Sequence, residues 1–399
     1  MPSPTPDTDR NRLRALDGLR GAACAAIILI HVWMFDRGDA GDGPKSVLDH
    51  LIGELRLAVP LFFALSGFLV FRPFVAAALE GRRRPSVRRY ALKRAARILP
   101  AYWAAVLGVF ALLAVLDHER QIAASQLPVF LAFAQNQFEA TIGRLDPPMW
   151  TLCVEVTFYL LVPVVGIAAL RLGTARGRQL ALCGGLVALG AALVAAAAIG
   201  DWQRTTTTSL LTNLTSFAAG MGAVALVHGR ELRRGTAWAL LLGGVALVAA
   251  DGTWHALAIG PLEWREIVAD QPAALGFGLM IAALAGSAVR VPALERRPLT
   301  TLGILSYGAY LWHFPVIYAL RSWDAWPQRL VPASAAVYAL TFAIAWISWR
   351  ALEQPVIRWA HRRPRPAPAD TPRPRTAAAG RGGSRRPAEA AWAAGRGRI

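Results

Sequence analysis

Charge is sparse in this chain. Asp, Glu, Lys and Arg make up 17% of its 399 residues, well under the roughly 25% of a soluble domain. Apolar residues account for 55% and mean hydropathy is +0.38, which excludes an ordinary soluble enzyme and fits a polytopic membrane protein. Cysteine is scarcer still. Cys24, Cys153 and Cys183 are the only three, and their spacing suits neither a zinc site nor a disulfide framework. All three fall inside apolar runs, where a thiol acts as a small packing residue; Cys153, alone in having polar neighbours, leaves a role as acyl carrier open. No Gly-rich phosphate loop, metal-ligand spacing or serine nucleophile elbow is present. Acidic residues number 25 against 43 basic ones, a net charge of +18. No basic platform interleaved with aromatics accompanies that excess, so nucleic acid is not an expected partner.

What the chain has in quantity is apolar runs long enough to cross a hydrocarbon core of about 30 Å. Ten are legible, near 17–36, 54–75, 96–117, 149–170, 179–199, 207–228, 236–250, 271–289, 300–320 and 332–353. Residues 122–138 are also apolar but contain Pro128, Gln135, Asn136 and Gln137, and read as an interfacial or re-entrant piece. Charge decides the count. With ten spans and both termini cytoplasmic, 33 of the 43 Lys and Arg fall on the inner side and nine on the outer, as the positive-inside rule requires. An eleventh span would put the later basic loops outside. The expected fold is therefore an all-α polytopic membrane helix bundle of a multi-pass cell-membrane protein, with its basic loops resting on anionic lipid. Arg10, Arg12, Arg14 and Arg20 precede the first run without a clear small-residue cleavage site, so that run is expected to stay as an uncleaved anchor. Residues 1–16 form a cytoplasmic N-terminal segment and 17–357 the membrane-embedded domain. The stretch 358–399 is rich in Pro, Arg, Ala and Gly with few core formers, and is expected to be a disordered cytoplasmic tail.

Polar residues inside the spans carry the functional signal, because each is costly in lipid. His31 follows Arg20 by eleven positions, almost three helical turns, so both project from one face about 16 Å apart. Arg20 at the inner surface puts His31 near mid-bilayer. Asp17 and Arg20, three apart, can pair with each other; that pairing accounts for Arg20 but not His31. Arg94 and Arg97 lie on one face where the third span begins, and two guanidinium groups there suit a phosphorylated ligand or an anionic headgroup. Glu155 sits about two turns into the fourth span, with Tyr159 one turn on, and its depth could match that of His31. Tyr307, Tyr310 and His313 form a polar stripe along the ninth span, ahead of a kink at Pro315. Glu353, near Pro355 and Arg358, reads as an interfacial salt bridge. His50, His118, His228 and His255 fall in loops or span ends and receive no role.

The segments RALDGLRGAACAAIILIH, PLFFALSGFLVFRPF, RAARILPAYW, MWTLCVEVTFYLLVP and SYGAYLWHFPV, in this order on ten spans, resemble the acyltransferase-3 family of integral-membrane acyltransferases. The resemblance runs from Arg14 to Glu353. It implies transfer of an acyl group from acyl-CoA, as co-substrate, to a hydroxyl of a sugar or a glycosylated natural product such as a macrolide, or of a cell-envelope glycan. It makes His31 the catalytic base and matches Glu155 to the family's acidic residue. Arg20 corresponds to the first motif's arginine, and Arg94 and Arg97 to the pair associated with the donor. Val156 follows Glu155 where many members carry a second carboxylate, which weakens any mechanism needing a carboxylate pair. Asp17, Tyr310 and His313 are possible supporting residues. No metal and no resident cofactor is called for, since a hydroxyl attacks a thioester without one. A reading of another class, a proton-coupled transporter relaying protons through His31, Glu155 and His313, is opposed by the lack of visible inverted repeats or broken helices.

Overall fold

The computed structural model describes residues 6–40, 46–259, 261–286 and 289–362. Among them every regular element is helical and no strand occurs. The ten main helices are α1 (Pro6–Ala40), α2 (Ala58–Leu79), α3 (Val87–Val115), α4 (Trp150–Leu172), α5 (Arg176–Ile199), α6 (Leu210–Val227), α7 (Arg234–Ala256), α8 (Gln271–Ala285), α9 (Arg297–Ser322) and α10 (Leu330–Ser348). Nine stretches of the described residues are long and apolar enough to cross a membrane. Helix α9, the ninth of the ten expected spans, has the length at 26 residues but is not among these nine, its run being broken by polar residues such as Ser306, Tyr307, Tyr310 and His313.

Helix α1 packs along α9 in a parallel sense. Cys24 Sγ approaches the Ser306 carbonyl at 3.8 Å, and seven residues further along both chains His31 meets His313. Ten crossings make α9 the ninth, running in the same direction as the first; an eleventh span before it would have made the pair antiparallel. Close approach is possible because the contact is built on glycine. A Cβ on Gly21 would lie 2.1 Å from the Leu299 carbonyl oxygen, and one on Gly303 1.9 Å from that of Asp17. Small residues that let backbones touch drive helix association where lipid offers no hydrophobic gain. The same crossing fixes the depth of His31 relative to His313.

Helix α2 is central. Its buried aromatic and aliphatic side chains, Phe63, Phe68, Phe71 and Phe74 among them, pack with α1, α4, α6 and α8. A second apolar cluster joins α3, α9 and the start of α4, and a third joins α1, α9 and α10. The segment 122–138 does not cross. It forms a short helix, Leu127–Leu131, between two 3-10 turns. Asn136 Nδ2 donates to the carbonyls of Trp150 (2.9 Å) and Thr208 (3.0 Å), tying the segment to the chain beside α4 and α6.

The inner end of α10 departs from expectation. A π-helical turn, Trp349–Glu353, leads into α11, Gln354–Arg362, so residues 358–362, read as tail, are helical. Pro355 does not stop the chain: the helix runs on from Leu330 to Arg362 through the π-helical turn just ahead of the proline. The rest of the expected disordered tail, from residue 363, lies outside the described residues.

Candidate active site

All five sequence segments that carried the resemblance meet around one cavity of about 500 Å³. Asp17 and Arg20 come from α1, Phe62 and Ser66 from α2, Lys93, Arg94 and Arg97 from α3, and Thr151, Glu155 and Tyr159 from α4. Helix α9 contributes Ser306, Tyr307 and Tyr310, and Trp349 and His361 close the inner end. The polar side chains share this space with large apolar ones, among them Phe62, Phe63 and Leu69 of α2, Ile98 of α3 and Leu152 of α4, so the chamber has charged and hydroxyl groups set into an apolar wall.

The inner rim is cationic, but its charges are not all equally free. Arg20 Nη1 lies 3.6 Å from Asp17 Oδ1, the pairing their spacing suggests. Arg94 lies over the Tyr159 ring at 5.8 Å. Arg97 Nη1 is 3.0 Å from Glu353 Oε2, and its guanidinium packs between the rings of Trp349 (5.1 Å) and Tyr307 (5.7 Å). Glu353 is only 1% exposed. It is a salt bridge, as expected, but a buried one with Arg97 of α3 rather than an interfacial one at the end of α10. The π-helical turn aims Glu353 inward, which sequence spacing alone does not reveal.

Glu155 is held from two sides. The hydroxyls of Ser66 and Tyr159 both donate to its Oε1. Tyr159 is the one-turn neighbour visible in the sequence; Ser66, a lone hydroxyl in an apolar run, was the available signal for the other. His31 is elsewhere. It does not line the cavity, and its hydrogen-bonding neighbour is His313, with Nδ1 of His31 2.9 Å from Nε2 of His313. No described contact joins Glu155 to His31, so the ring is oriented by His313 and not by the carboxylate. The Phe314 ring meets His31 edge-on, with centroids 4.8 Å apart.

Tyr310 stands between cavity and histidines. It lines the cavity, its ring centroid is 5.6 Å from that of His313, and its carbonyl oxygen lies 2.7 Å from His313 Nδ1. Its hydroxyl donates to the Pro148 carbonyl at 2.6 Å and lies 2.7 Å from Thr151 Oγ1. The cavity therefore runs from a basic inner rim to the shell of an imidazole pair in which His313 is buried and His31 half-buried.

Two further polar groups were not singled out from sequence. Among the described residues, Asp251, His255 and Asp270 bring their ligand atoms within 4.8 Å of one another. Arg56 supplies the positive charge there, through ion pairs with Glu54 (3.0 Å) and Asp270. Asp146 precedes α4 with both carboxylate oxygens buried and without a hydrogen-bond partner. Burial pushes its carboxyl well above the ordinary carboxylate range. The folded chain then binds a proton that the unfolded chain gives up, so stability falls as pH rises above the ordinary Asp value. Asp146→Asn, isosteric with the neutral acid, is expected to flatten that dependence when unfolding in detergent is followed across pH. An unchanged pH slope in the variant refutes the assignment.

The family model described as "Acyltransferase domain" matches residues 13–350. BcsY of Komagataeibacter xylinus, provisionally named a membrane-bound transacylase, is 26% identical over 366 residues, covering 89% of this chain and 86% of that protein. Nodulation protein 10 of Rhizobium leguminosarum bv. viciae is 26% identical, covering 86% and 92%. The O-acetyltransferase OatA of Staphylococcus aureus is 25% identical over 86% of this chain, which spans 57% of OatA. No solved structure matches. With a family match over most of its length and a helix bundle built around the matching segments, the chain belongs to the acyltransferase-3 family of integral-membrane acyltransferases.

Proposed function

We propose that the protein transfers an acyl group, acetyl by default, from acyl-CoA to a hydroxyl of a sugar or a glycosylated natural product such as a macrolide. One observation carries the reading: a cavity of about 500 Å³ that begins among Arg20, Lys93, Arg94 and Arg97 and ends at Tyr310 and Thr151, beside the His31–His313 pair. An acyl-CoA is made in the cytoplasm and carries phosphates that guanidinium groups bind well. Its narrow pantetheine arm suits a channel leading inward from that rim. OatA is named an O-acetyltransferase and BcsY a transacylase, which supports an oxygen acceptor and an acyl group in transit.

In this scheme His31 takes the proton of the acceptor hydroxyl as its oxygen attacks the thioester carbonyl carbon. The carbon–sulfur bond breaks, and the departing thiolate takes the proton back from His31. An ester and free CoA thiol leave, and the histidine returns to its neutral form. Arg94 and Arg97 hold the phosphates. Glu155, fixed by Ser66 and Tyr159, sets the charge of the chamber wall opposite Arg20.

Purified protein incubated with radiolabelled acetyl-CoA and glycosylated acceptors is expected to give labelled ester and free thiol in equal amounts. Proton-coupled uptake into vesicles with no ester formed would replace this reading with the transporter. Mass spectrometry of extracts from cells with and without the intact protein identifies the acceptor by a shift of one acyl unit. A shift found only on cell-envelope glycan would move the acceptor class and keep the chemistry.

A further inference from the structure

Half-buried His31 and fully buried His313 form a directional chain of hydrogen bonds whose proton positions can be worked out from its far end. His313 Nδ1 lies 2.7 Å from the carbonyl oxygen of Tyr310. A carbonyl only accepts, so Nδ1 of His313 carries the hydrogen. His313 is fully buried and no carboxylate bonds to it, so a charged ring at that site would go uncompensated. With the ring neutral and its hydrogen on Nδ1, Nε2 of His313 is a bare acceptor. That nitrogen faces His31 Nδ1 at 2.9 Å. The centroids are 5.0 Å apart and the ring planes 28° from parallel, so the rings meet edge to edge, the geometry in which a ring N–H points at a ring lone pair. The single hydrogen between them therefore sits on His31 Nδ1, leaving His31 Nε2 bare.

We propose that His313 is a positioning residue: it holds His31 in the Nδ1–H tautomer, so that Nε2 is the atom that takes and returns the acceptor's proton. The assignment of the base itself rests on the function proposed above; the tautomer rests on the geometry alone. A carboxylate usually does this work. An imidazole acceptor does it without placing a negative charge deep in a helix bundle, where an unpaired carboxylate is costly. As His31 becomes cationic, its Nδ1–H···Nε2 bond becomes charge-assisted and strengthens, which stabilises the imidazolium when it is needed. The proton on Nδ1 stays in place throughout the cycle, so no net transfer along the pair is required.

Two measurements test this. Solid-state 15N spectra of the histidine-labelled full chain, assigned to His31 by difference from His31→Ala, are expected to show a protonated Nδ1 and a bare Nε2; a protonated Nε2 on neutral His31 overturns the proposal whatever the protein's activity. In the acetyl-transfer assay, His313→Leu removes the acceptor and is expected to lower kcat about 100-fold, with KM for acetyl-CoA within about twofold. His313→Gln places an amide oxygen where Nε2 was and is expected to recover most of that loss. An unchanged kcat in His313→Leu, or a glutamine variant as slow as the leucine one, overturns the positioning role. If His31→Ala is itself fully active, it is the base assignment that fails, and the spectrum still decides the tautomer.

Discussion

Replacing His31 by alanine is expected to abolish measurable acyl transfer while the protein still inserts and elutes as a single folded species. A general base contributes about 10² to 10⁴-fold, so kcat is expected to fall by that factor, with acetyl-CoA binding retained because the basic rim is on another part of the bundle. The physical case is the cost of the residue. A polar ring in this apolar setting, edge-on to Phe314 and bonded to His313, would be replaced by an aliphatic side chain if packing were its only purpose. Truncation also leaves a cavity, which can cost several kcal/mol at a large buried side chain. His31→Gln serves as the volume control: it fills most of the space, keeps a donor toward His313 and has no titratable nitrogen. Labelled-ester formation by either variant at the wild-type rate would remove His31 from the mechanism. Loss in alanine with full activity in glutamine would assign it to packing.

The separation of His31 from Arg20 along α1 was readable from one sequence, because helix pitch is constant and eleven positions set a distance. The partner of His31 was not readable. His313 lies 282 positions away, and the register that joins the two rings is set by backbone contact at Gly21 and Gly303; hydropathy does not encode such a contact. The helical spans followed from apolar runs: each of the ten expected runs is a helix, and nine stretches of the described residues are long and apolar enough to cross. The parallel packing of α1 and α9 agrees independently with the count of ten. Local pairs were equally legible: Asp17 with Arg20 and Glu155 with Tyr159 are three and four apart, and one helix turn brings them together. Ser66 and Arg97 meet their carboxylates across helices. The π-helical turn before Glu353 was hidden for another reason. A bulge of this kind rotates every later side chain, and no residue type in WRALE announces it. Glu353 was therefore assigned to the interface, and the last five residues of α11, 358–362, were read as part of the tail.

Arg97 is expected to have two separable effects, and Glu353 separates them. Arg97→Met leaves a buried carboxylate without its partner, a loss of about 3–5 kcal/mol where such pairs have been broken. Thermal unfolding in detergent should register it as a large drop in midpoint. The same variant removes one charge-assisted contact to the donor phosphates, a loss of about 1.5–3 kcal/mol, read as about a 10- to 100-fold weaker Kd for acetyl-CoA. Glu353→Gln keeps the guanidinium but frees it from its carboxylate, so donor affinity should be retained or rise. In the double variant neither charge remains, and stability is expected to return toward wild type because no uncompensated ion is left. Donor affinity should not return. Arg97 also packs against Trp349 and Tyr307, and methionine preserves much of that contact, so the stability term reports the ion pair. If the double variant regains both stability and donor affinity, Arg97 is a structural cation and the phosphates are held by Arg20, Lys93 and Arg94. If it regains stability alone, the same guanidinium that closes the inner end of the bundle also receives the donor, and Glu353 competes with acyl-CoA for it.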